Sequence, residues 1–305
     1  MNIETFVVGL LAATLRLATP LIFGTLGELI SERAGILNLG IEGTMLLGAF
    51  VGFVVTFVSG SLEVGLLAAV LAGVLAGLLM ALLTVTLGLN QHVSGLGMTL
   101  FLTGLSLYLF RLILGEHSVL PSITSFPKLT PFGDLPIIGP ITAQYSLTYI
   151  AILLVPFFWW LIYRTSFGMN LRAAGENPEA ADAAGVNVFR TRYLALGLAG
   201  GLMAAGGAFL SMAQTGSFTF QIVNGRGWVC IALIIFANWI PVRVLWGALL
   251  FGGMDALQLR LVSTGLELPY ELFLALPYLV TILALTLAGR NASGPAAVLK
   301  PYRRE

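Results

Sequence analysis

The most constraining feature of the sequence is a long stretch without fixed charge between Val64 and Phe110. It contains no Asp, Glu, Lys or Arg, and its only histidine is His92. About 20 consecutive apolar residues are enough to cross a bilayer as a helix. The strands of a transmembrane barrel would instead read as alternating segments of roughly ten residues. The stretch therefore predicts membrane-spanning helices rather than a soluble domain or a barrel.

Composition extends this prediction to the whole chain, which is 58% hydrophobic and only 10% charged, against about 25% charged for a typical soluble domain. Apolar segments bounded by polar, Pro or Gly residues recur at about nine places. They are Thr5–Leu26, Ile41–Val58, Leu62–Leu89, Gly95–Leu114, Tyr145–Tyr163, Tyr193–Met212, Trp228–Ile240, Val244–Val262 and Tyr270–Ala288. We predict an all-α, polytopic transmembrane helix bundle of about eight to ten spans, formed by residues 1–305 as one domain.

Glycines spaced four residues apart recur within these segments, at Gly48 and Gly52, Gly73 and Gly77, and Gly197 and Gly201. Small residues at this spacing let helix backbones approach closely in lipid. The spacing predicts a closely packed bundle and does not by itself indicate a function.

The distribution of Lys and Arg predicts the orientation, because these residues are enriched in cytoplasmic loops. Basic residues flank one loop and crowd the C-terminus, at Arg164, Arg172, Arg190, Arg192, Arg290, Lys300, Arg303 and Arg304. We therefore expect the loop of about residues 164–192 and the tail of about residues 289–305 to be cytoplasmic, and the proline-containing segment 115–144 to be external. Strict alternation places the N-terminus outside, whereas a broken second helix would reverse the first span.

The cytoplasmic loop contains a short helix signature. Asn177, Pro178 and Glu179 have the order of an N-cap, a first-turn proline and a first-turn acid, and Gly185 suits the end of the helix. Alanines between them favour helix, including Ala181 and Ala184. A helix of about seven residues is marginal in water, so it rests either on its own membrane domain or on a cytoplasmic partner. We predict that it is a docking helix with contacts from Asn177, Pro178, Glu179, Ala181, Ala184 and Gly185.

The sequence has no motif that would let the chain hydrolyse ATP. A P-loop needs Gly-Lys followed by Ser or Thr, and the two lysines, Lys128 and Lys300, follow Pro127 and Leu299. We therefore expect no catalytic residues, no cofactor and no metal ligands in this chain, and ATP hydrolysis in a separate subunit. No basic patch with interleaved aromatics indicates nucleic acid, and the single cysteine, Cys230, reads as a small buried hydrophobe.

Asn38 and Glu42 stand at the entrance of the second apolar segment. They are four residues apart and would share a face of a helix, although Gly35, Gly40 and Gly43 favour a bent or unwound segment. An acid in mid-membrane costs about 3 kcal/mol and must face protein or water. Two interpretations stay open: both residues line a substrate pathway, or Glu42 pairs with Arg33 or caps backbone groups at a helix end.

Three further polar positions have two interpretations each. The group Asn90 to Ser94 reads as a tight turn between spans, with Asn90 and Ser94 the best ligand contacts if a site exists there. Arg226 is an interfacial anchor beside Trp228, or it contacts substrate or a binding protein. Asp255 favours an ion pair with Arg260 or an interaction with Gln258 rather than a proton relay.

Several stretches resemble one family along nearly the whole chain. They are "SERAGILNLGIEGTMLLGAF", "NQHVSGLGMTL", "LPIIGP", "RAAGENPEAADAAGVNV" and "GSFTFQIVNGRGWVCIALIIFANWIP". The sequence is similar to permease subunits of ABC importers of the branched-chain amino acid/ribose-type superfamily, and most similar to the nucleoside and simple-sugar branch. His92 and Ala237 depart from the pattern of that branch.

The resemblance implies partners and a location. It implies an ABC ATPase subunit docked on the short helix, a second permease that is identical or different, an external substrate-binding lipoprotein, and a multi-pass position in the bacterial cytoplasmic membrane. Nucleosides are the first expectation, and simple sugars or branched-chain amino acids are alternatives. The pathway residues expected are Asn38, Glu42, Asn90, Ser94 and Arg226. A less favoured alternative is a secondary transporter that uses Asp255 and Glu42 for ion coupling.

Overall fold

The computed structural model describes residues 3–115, 121–133, 135, 138–263, 279, 282, 286 and 294–302. The helices in these residues are α1 (Ile3–Arg33), α2 (Ile41–Ser59), α3 (Leu62–Ala81), α4 (Gln91–Leu114), α5 (Ile138–Thr142), α6 (Ser146–Arg164), α7 (Ser166–Glu176), α8 (Pro178–Ala183), α9 (Val188–Phe209), α10 (Arg226–Ala237) and α11 (Pro241–Ser263). Two π-helical turns, Leu82–Thr86 and Leu210–Thr215, extend α3 and α9. Two short strands, β1 (Lys128–Leu129) and β2 (Gln144–Tyr145), pair antiparallel. The expected span Tyr270–Ala288 and the basic residues Arg290, Arg303 and Arg304 lie outside the described residues.

Seven of the described helices are long and apolar enough to cross a membrane. They are α1, α2, α3 with its π turn, α4, α6, α9 with its π turn, and α11. This confirms the prediction of an all-α, polytopic bundle. The predicted span Trp228–Ile240 is different, because α10 has 12 residues and a helix of that size is about 18 Å long, short of the roughly 30 Å hydrocarbon core.

The first helix is longer than its apolar segment predicts, since it continues past Leu26 to Arg33. Two buried polar residues in this extension, Ser31 and Glu32, have partners within the protein. The Ser31 hydroxyl donates to the Ile36 carbonyl at 2.7 Å, and a Glu32 carboxylate oxygen accepts from the Trp239 indole at 2.6 Å. Because their polar groups are satisfied within the protein, these residues can continue a helix that an apolar pattern alone would end early.

The centre of the bundle consists of α2 and α9, most of whose residues are buried. Close backbone contact holds the helices around them. A Cβ on Gly73 would overlap the backbone of Gly200, and a Cβ on Gly48 would overlap the backbone of Ala204. The glycine spacing in the sequence thus places α3 and α2 directly against α9, as expected where lipid removes the hydrophobic drive for helix association.

A second group of helices packs on the other side of α1. The α1 backbone at Ala18 lies against Gly252 of α11, and the Thr19 hydroxyl is 3.0 Å from that of Thr148 in α6. At one end of the bundle, α7 lies against the end of α1, where a Cβ on Gly175 would overlap the Arg33 carbonyl. The helix α8 packs beside α7, and the Ala297 amide donates to the Gly175 carbonyl at 2.9 Å. We call this end the coupling-loop end.

The backbone contacts of α9 generate a stability prediction. Replacing Gly200 by Ala puts a methyl group onto the Gly73 carbonyl and the Gly77 amide, so the helices must separate. Overpacking of this kind costs about 1–3 kcal/mol. We expect Gly200→Ala to lower the midpoint of thermal unfolding of the detergent-purified chain.

The matched control is Gly104→Ala in the interior of α4, where a Cβ would meet nothing within 4 Å. Removing a helix-interior glycine there is neutral or stabilising by up to about 1 kcal/mol. Equal unfolding midpoints for the two variants would contradict the close packing of α3 on α9.

Candidate functional site between two broken helices

Residues 34–40 form a non-helical break between α1 and α2 that is almost wholly buried. Gly35 adopts φ +86°, which ends the helix as a left-handed residue does. Backbone polar groups buried in this way need partners from the protein. Side chains supply these partners. The Glu28 carboxylate accepts from the backbone amide of Asn38 at 2.7 Å, and the Gln91 side-chain oxygen accepts from the backbone amide of Leu37 at 2.8 Å.

A second non-helical segment, residues 216–225, lies between the end of α9 and the start of α10. Phe218 is buried in it and packs on Phe50 and Phe110, with ring centroids 5.7 and 5.0 Å apart. At the other end of α10, the Trp239 carbonyl accepts from Arg33 at 2.8 Å, at the coupling-loop end. Because α10 is about 18 Å long, its N-terminus lies near the middle of the bundle. It is therefore a half-helix.

The carboxylate of Glu42 joins the two breaks. One oxygen accepts from the Gly225 amide at 2.8 Å and the other from the Gly227 amide at 2.7 Å. The first amides of a helix have no partner within the helix and form the positive end of its dipole, so a carboxylate is the natural group to cap them. A Cβ on Gly227 would lie 2.6 Å from the Glu42 amide nitrogen, which explains the need for glycine there.

Arg226 and Asp255 complete a charged cluster with Glu42. The Arg226 guanidinium donates to the Ile222 and Val223 carbonyls at 3.2 and 3.0 Å, and it interacts electrostatically with both Glu42 and Asp255. Its Nε is buried and has no hydrogen-bond partner within the described part of the chain. The sequence predicted that Asp255 pairs with Arg260 or Gln258 of its own helix. In the structure the cation that interacts with Asp255 is Arg226, from the neighbouring half-helix.

Exposed polar and aromatic residues surround this cluster along the chain. Gln221 and Asn224 are exposed, Glu42, Arg226 and Asp255 are half-buried, and the aromatic side chains of Phe220 and Trp228 are 46% and 42% exposed. Irregular backbone and polar side chains at this depth are tolerated only where they face protein or water. We call the exposed residues Phe220, Gln221, Asn224 and Trp228 the amide–aromatic face.

The structure brings together only two of the five polar residues selected from the sequence, Glu42 and Arg226. Asn38 lies in the break, so it does not share a helix face with Glu42. Its side-chain oxygen instead accepts from the Gly40 amide at 2.9 Å. The expected turn from Asn90 to Ser94 is also wrong, because α4 begins at Gln91 and Asn90 is its N-cap, accepting from the His92 amide at 2.9 Å.

The loop helix α8 forms as expected, from Pro178 to Ala183. The Asn177 side chain accepts from the Ala180 amide at 3.0 Å, and Gly185 follows with φ +86°. Asn177, Glu179, Ala184 and Gly185 are exposed and Pro178 is half-buried, but Ala181 is only 4% exposed and packs with Ala174, Val188 and Tyr302. The sequence did not predict α7, with which α8 borders a groove of about 630 Å³.

Discontinuous helices whose ends meet charged side chains within the bundle are typical of membrane transport proteins. The chain belongs to the family described as branched-chain amino acid transport system/permease component, which matches residues 10–285.

Three curated relatives extend over nearly the full length. "Putative glucose ABC transporter permease protein TsgC13" of Haloferax volcanii is 41% identical, over 99% of each chain. The guanosine ABC transporter permease protein NupQ of Bacillus subtilis is 33% identical, over 99% of this chain and 98% of its own. The nucleoside ABC transporter permease protein NupC of Lactococcus lactis is 32% identical, over 97% of each chain. No solved structure matches the chain significantly.

The cap on α10 yields a test. In Glu42→Gln one carboxylate oxygen becomes an NH2 group that faces a backbone amide, and the donor left unsatisfied costs about 1–3 kcal/mol. We expect a lower midpoint of thermal unfolding in detergent. Glu4→Gln is the control, because Glu4 is exposed near the start of α1 and its change should stay within about 0.5 kcal/mol. Equal stability of both variants would contradict the cap.

Proposed function

We propose that this chain is the permease subunit of an ATP-driven ABC importer for an uncharged polar solute, with nucleosides as the first choice and simple sugars as the second. The main support is the likeness over nearly the full length to permeases named for glucose, guanosine and nucleosides. The sequence has no P-loop, so the energy of transport comes from a separate ATPase subunit.

The charge of the cluster supports an uncharged solute. In transporters with discontinuous helices, the positive end of a half-helix often points at an anionic group of the substrate. Here Glu42 already occupies the N-terminus of α10. The cluster also contains Asp255, and the single positive charge of Arg226 faces both acids. A carboxylate on the solute would be repelled, which favours a nucleoside or sugar over a branched-chain amino acid.

The amide–aromatic face is the proposed contact for the solute. Asn and Gln side chains donate and accept hydrogen bonds, and the flat rings of Phe220 and Trp228 suit the faces of a base or a sugar. A second permease subunit, identical or different, completes the wall of the pathway, because this face is open in the single chain. Glu42 and Arg226 hold the face in position and Asn38 supports the first break, while Asn90 and Ser94 stand at the start of α4.

The proposed contact with the ATPase is the exposed side of α8. Asn177, Glu179, Ala184 and Gly185 are available to a partner, while Ala181 fastens the helix to its own domain. Both interpretations of the loop helix therefore apply to different faces of it. The ATPase biases two states of the permease pair that open to opposite sides in turn.

The remaining assembly follows from the same proposal. The coupling-loop end faces the cytoplasm, as the basic residues predict, and an external binding lipoprotein delivers the solute to the opposite end. The relatives come from Haloferax as well as from Bacillus and Lactococcus, so we place the chain in the cytoplasmic membrane of a prokaryotic cell, bacterial or archaeal.

The alternative of an ion-coupled transporter has less support. A coupling carboxylate must exchange a proton or ion during each cycle. Both oxygens of Glu42 are held by backbone amides of α10, so releasing them would disconnect the half-helix.

The energy source and the solute can be tested in proteoliposomes that contain the chain with its ATPase, second permease and binding protein. We expect ATP-dependent uptake of guanosine or glucose that persists when a protonophore collapses the proton gradient. Leucine, a zwitterion with a carboxylate, should not be taken up. Uptake that requires the proton gradient, or uptake of leucine in preference to both neutral solutes, would contradict the proposal.

The docking surface can be tested by Ala184→Arg, which adds a long charged side chain to the exposed end of α8. We expect it to reduce co-purification of the ATPase by about tenfold, which corresponds to 1.4 kcal/mol. His92→Arg, at an exposed position in the first turn of α4, is the control and should retain native levels. Equal loss, or equal retention, in both variants would count against this contact.

A further inference from the structure

Residues 294–302, which we call the tail segment, lie at the coupling-loop end and contact several separate elements. The Ala296 amide donates to a Glu176 carboxylate oxygen at 3.3 Å, and the Ala297 amide donates to the Gly175 carbonyl at 2.9 Å. These bonds attach the tail segment to the end of α7, directly before α8.

The tail segment also contacts α8 through Tyr302. Tyr302 is buried in a cluster with Ala174 of α7, Ala181 of α8 and Val188 of α9, and its ring lies 6.0 Å from that of Phe189. Ala181 is the residue by which α8 faces its own domain. Because close-packed contacts deform little, a displacement of α8 would also displace Tyr302.

From Tyr302 the contacts reach the break through Arg192. The guanidinium of Arg192 lies 5.9 Å from the centre of the Tyr302 ring and is 1% exposed. Its Nε donates to the Ala34 carbonyl at 3.1 Å and one Nη to the Ala174 carbonyl at 3.5 Å. A buried cation bound to two carbonyls fixes the relative position of the break and α7, because losing either contact leaves the charge poorly solvated.

Gln91 makes a second connection between the tail segment and the break. Its side-chain oxygen accepts from both the Leu37 amide, at 2.8 Å, and the Leu299 amide, at 3.2 Å. Its side-chain nitrogen donates to the Gly35 carbonyl at 3.4 Å, and the residue is 4% exposed. One amide group thus holds the break and the tail segment together at the start of α4.

We propose that the tail segment transmits the movement of α8 to the break between α1 and α2, with Tyr302 and Gln91 as positioning residues. This inference rests on the proposed function, since it assumes that α8 receives the movement of an ATPase. The break leads to Glu42 and so to the N-terminus of α10, which places the output of the tail segment at the amide–aromatic face.

The test measures the number of solute molecules taken up per ATP hydrolysed, in proteoliposomes that contain the full complex. Tyr302→Ala removes the ring, whereas Tyr302→Phe retains its contacts with Arg192 and Ala181 and is the matched control. We expect Tyr302→Ala to lower this ratio by about 2- to 30-fold, the usual range for residues that couple two sites. ATPase co-purification and ATP hydrolysis should stay within about twofold of the unmodified complex, and Tyr302→Phe should restore the ratio.

Gln91→Leu is the second variant, because it keeps the volume of the side chain, retains α4 and removes the bonds to Leu37, Leu299 and Gly35. It should lower the same ratio even if Tyr302→Ala fails to fold. An unchanged ratio in Gln91→Leu, or a loss of transport, hydrolysis and thermal stability in proportion, would overturn the inference. If the unmodified complex shows no ATP-driven uptake, the proposed function is contradicted. If the unmodified complex transports normally and the variants keep its ratio of solute to ATP, only the role of the tail segment is contradicted.

Discussion

The bond between the Glu42 carboxylate and the first amides of α10 is the interaction on which the centre of this protein depends. It connects residues 183 and 185 positions apart in the sequence, and it joins the end of one segment of irregular backbone to the end of the other. Without a carboxylate there, the half-helix would present unpaired amides and the positive end of its dipole to an apolar interior. A chain with only 10% charged residues thus uses one of its few acids to stabilise a helix end inside the bundle.

The same requirement explains several of the buried polar residues around the first break. Glu28, Asn38 and Gln91 each accept a hydrogen bond from a main-chain amide of the break or of its flank. In lipid these amides cannot form hydrogen bonds with water, so side chains replace the missing helical partners. These three buried polar residues therefore support the backbone. The exposed residues Gln221 and Asn224 are different, since backbone support does not require exposure, and they are the stronger candidates for contact with solute.

The sequence predicted the features that depend on local physics. Uninterrupted apolar segments indicated the long spans, and the order Asn177, Pro178, Glu179 and Gly185 indicated α8, because caps and spans are determined by residues close together in the chain. The half-helix could be predicted only in part. The run from Trp228 to Ile240 is shorter than the roughly 20 residues of a straight span, so a broken or tilted helix was expected among the short runs. The cap that Glu42 provides from a distant segment could not be read from the run itself. The pairing of Asn38 with Glu42 on one helix face was wrong for a related reason, since the Asn38 side chain bonds the Gly40 amide and ends the regularity that the spacing assumed.

The two breaks are also connected to each other, so a movement of the first can be passed to the second. The first, residues 34–40, begins beside α7 and the tail segment, where Gly35 lies against Gly175 and Ala297. It leads into α2, whose Glu42 is bonded to the second break at Gly225. Packed interiors change between discrete arrangements rather than deforming continuously. A shift at the coupling-loop end therefore either leaves residues 34–40 in place or moves them as a unit with the start of α2 and, through the Glu42 carboxylate, with α10. Because α10 is a half-helix with non-helical chain at both ends, it can follow such a movement while the long helices around it stay fixed. A continuous helix in its place would have to tilt through the whole bilayer to produce the same displacement at mid-depth.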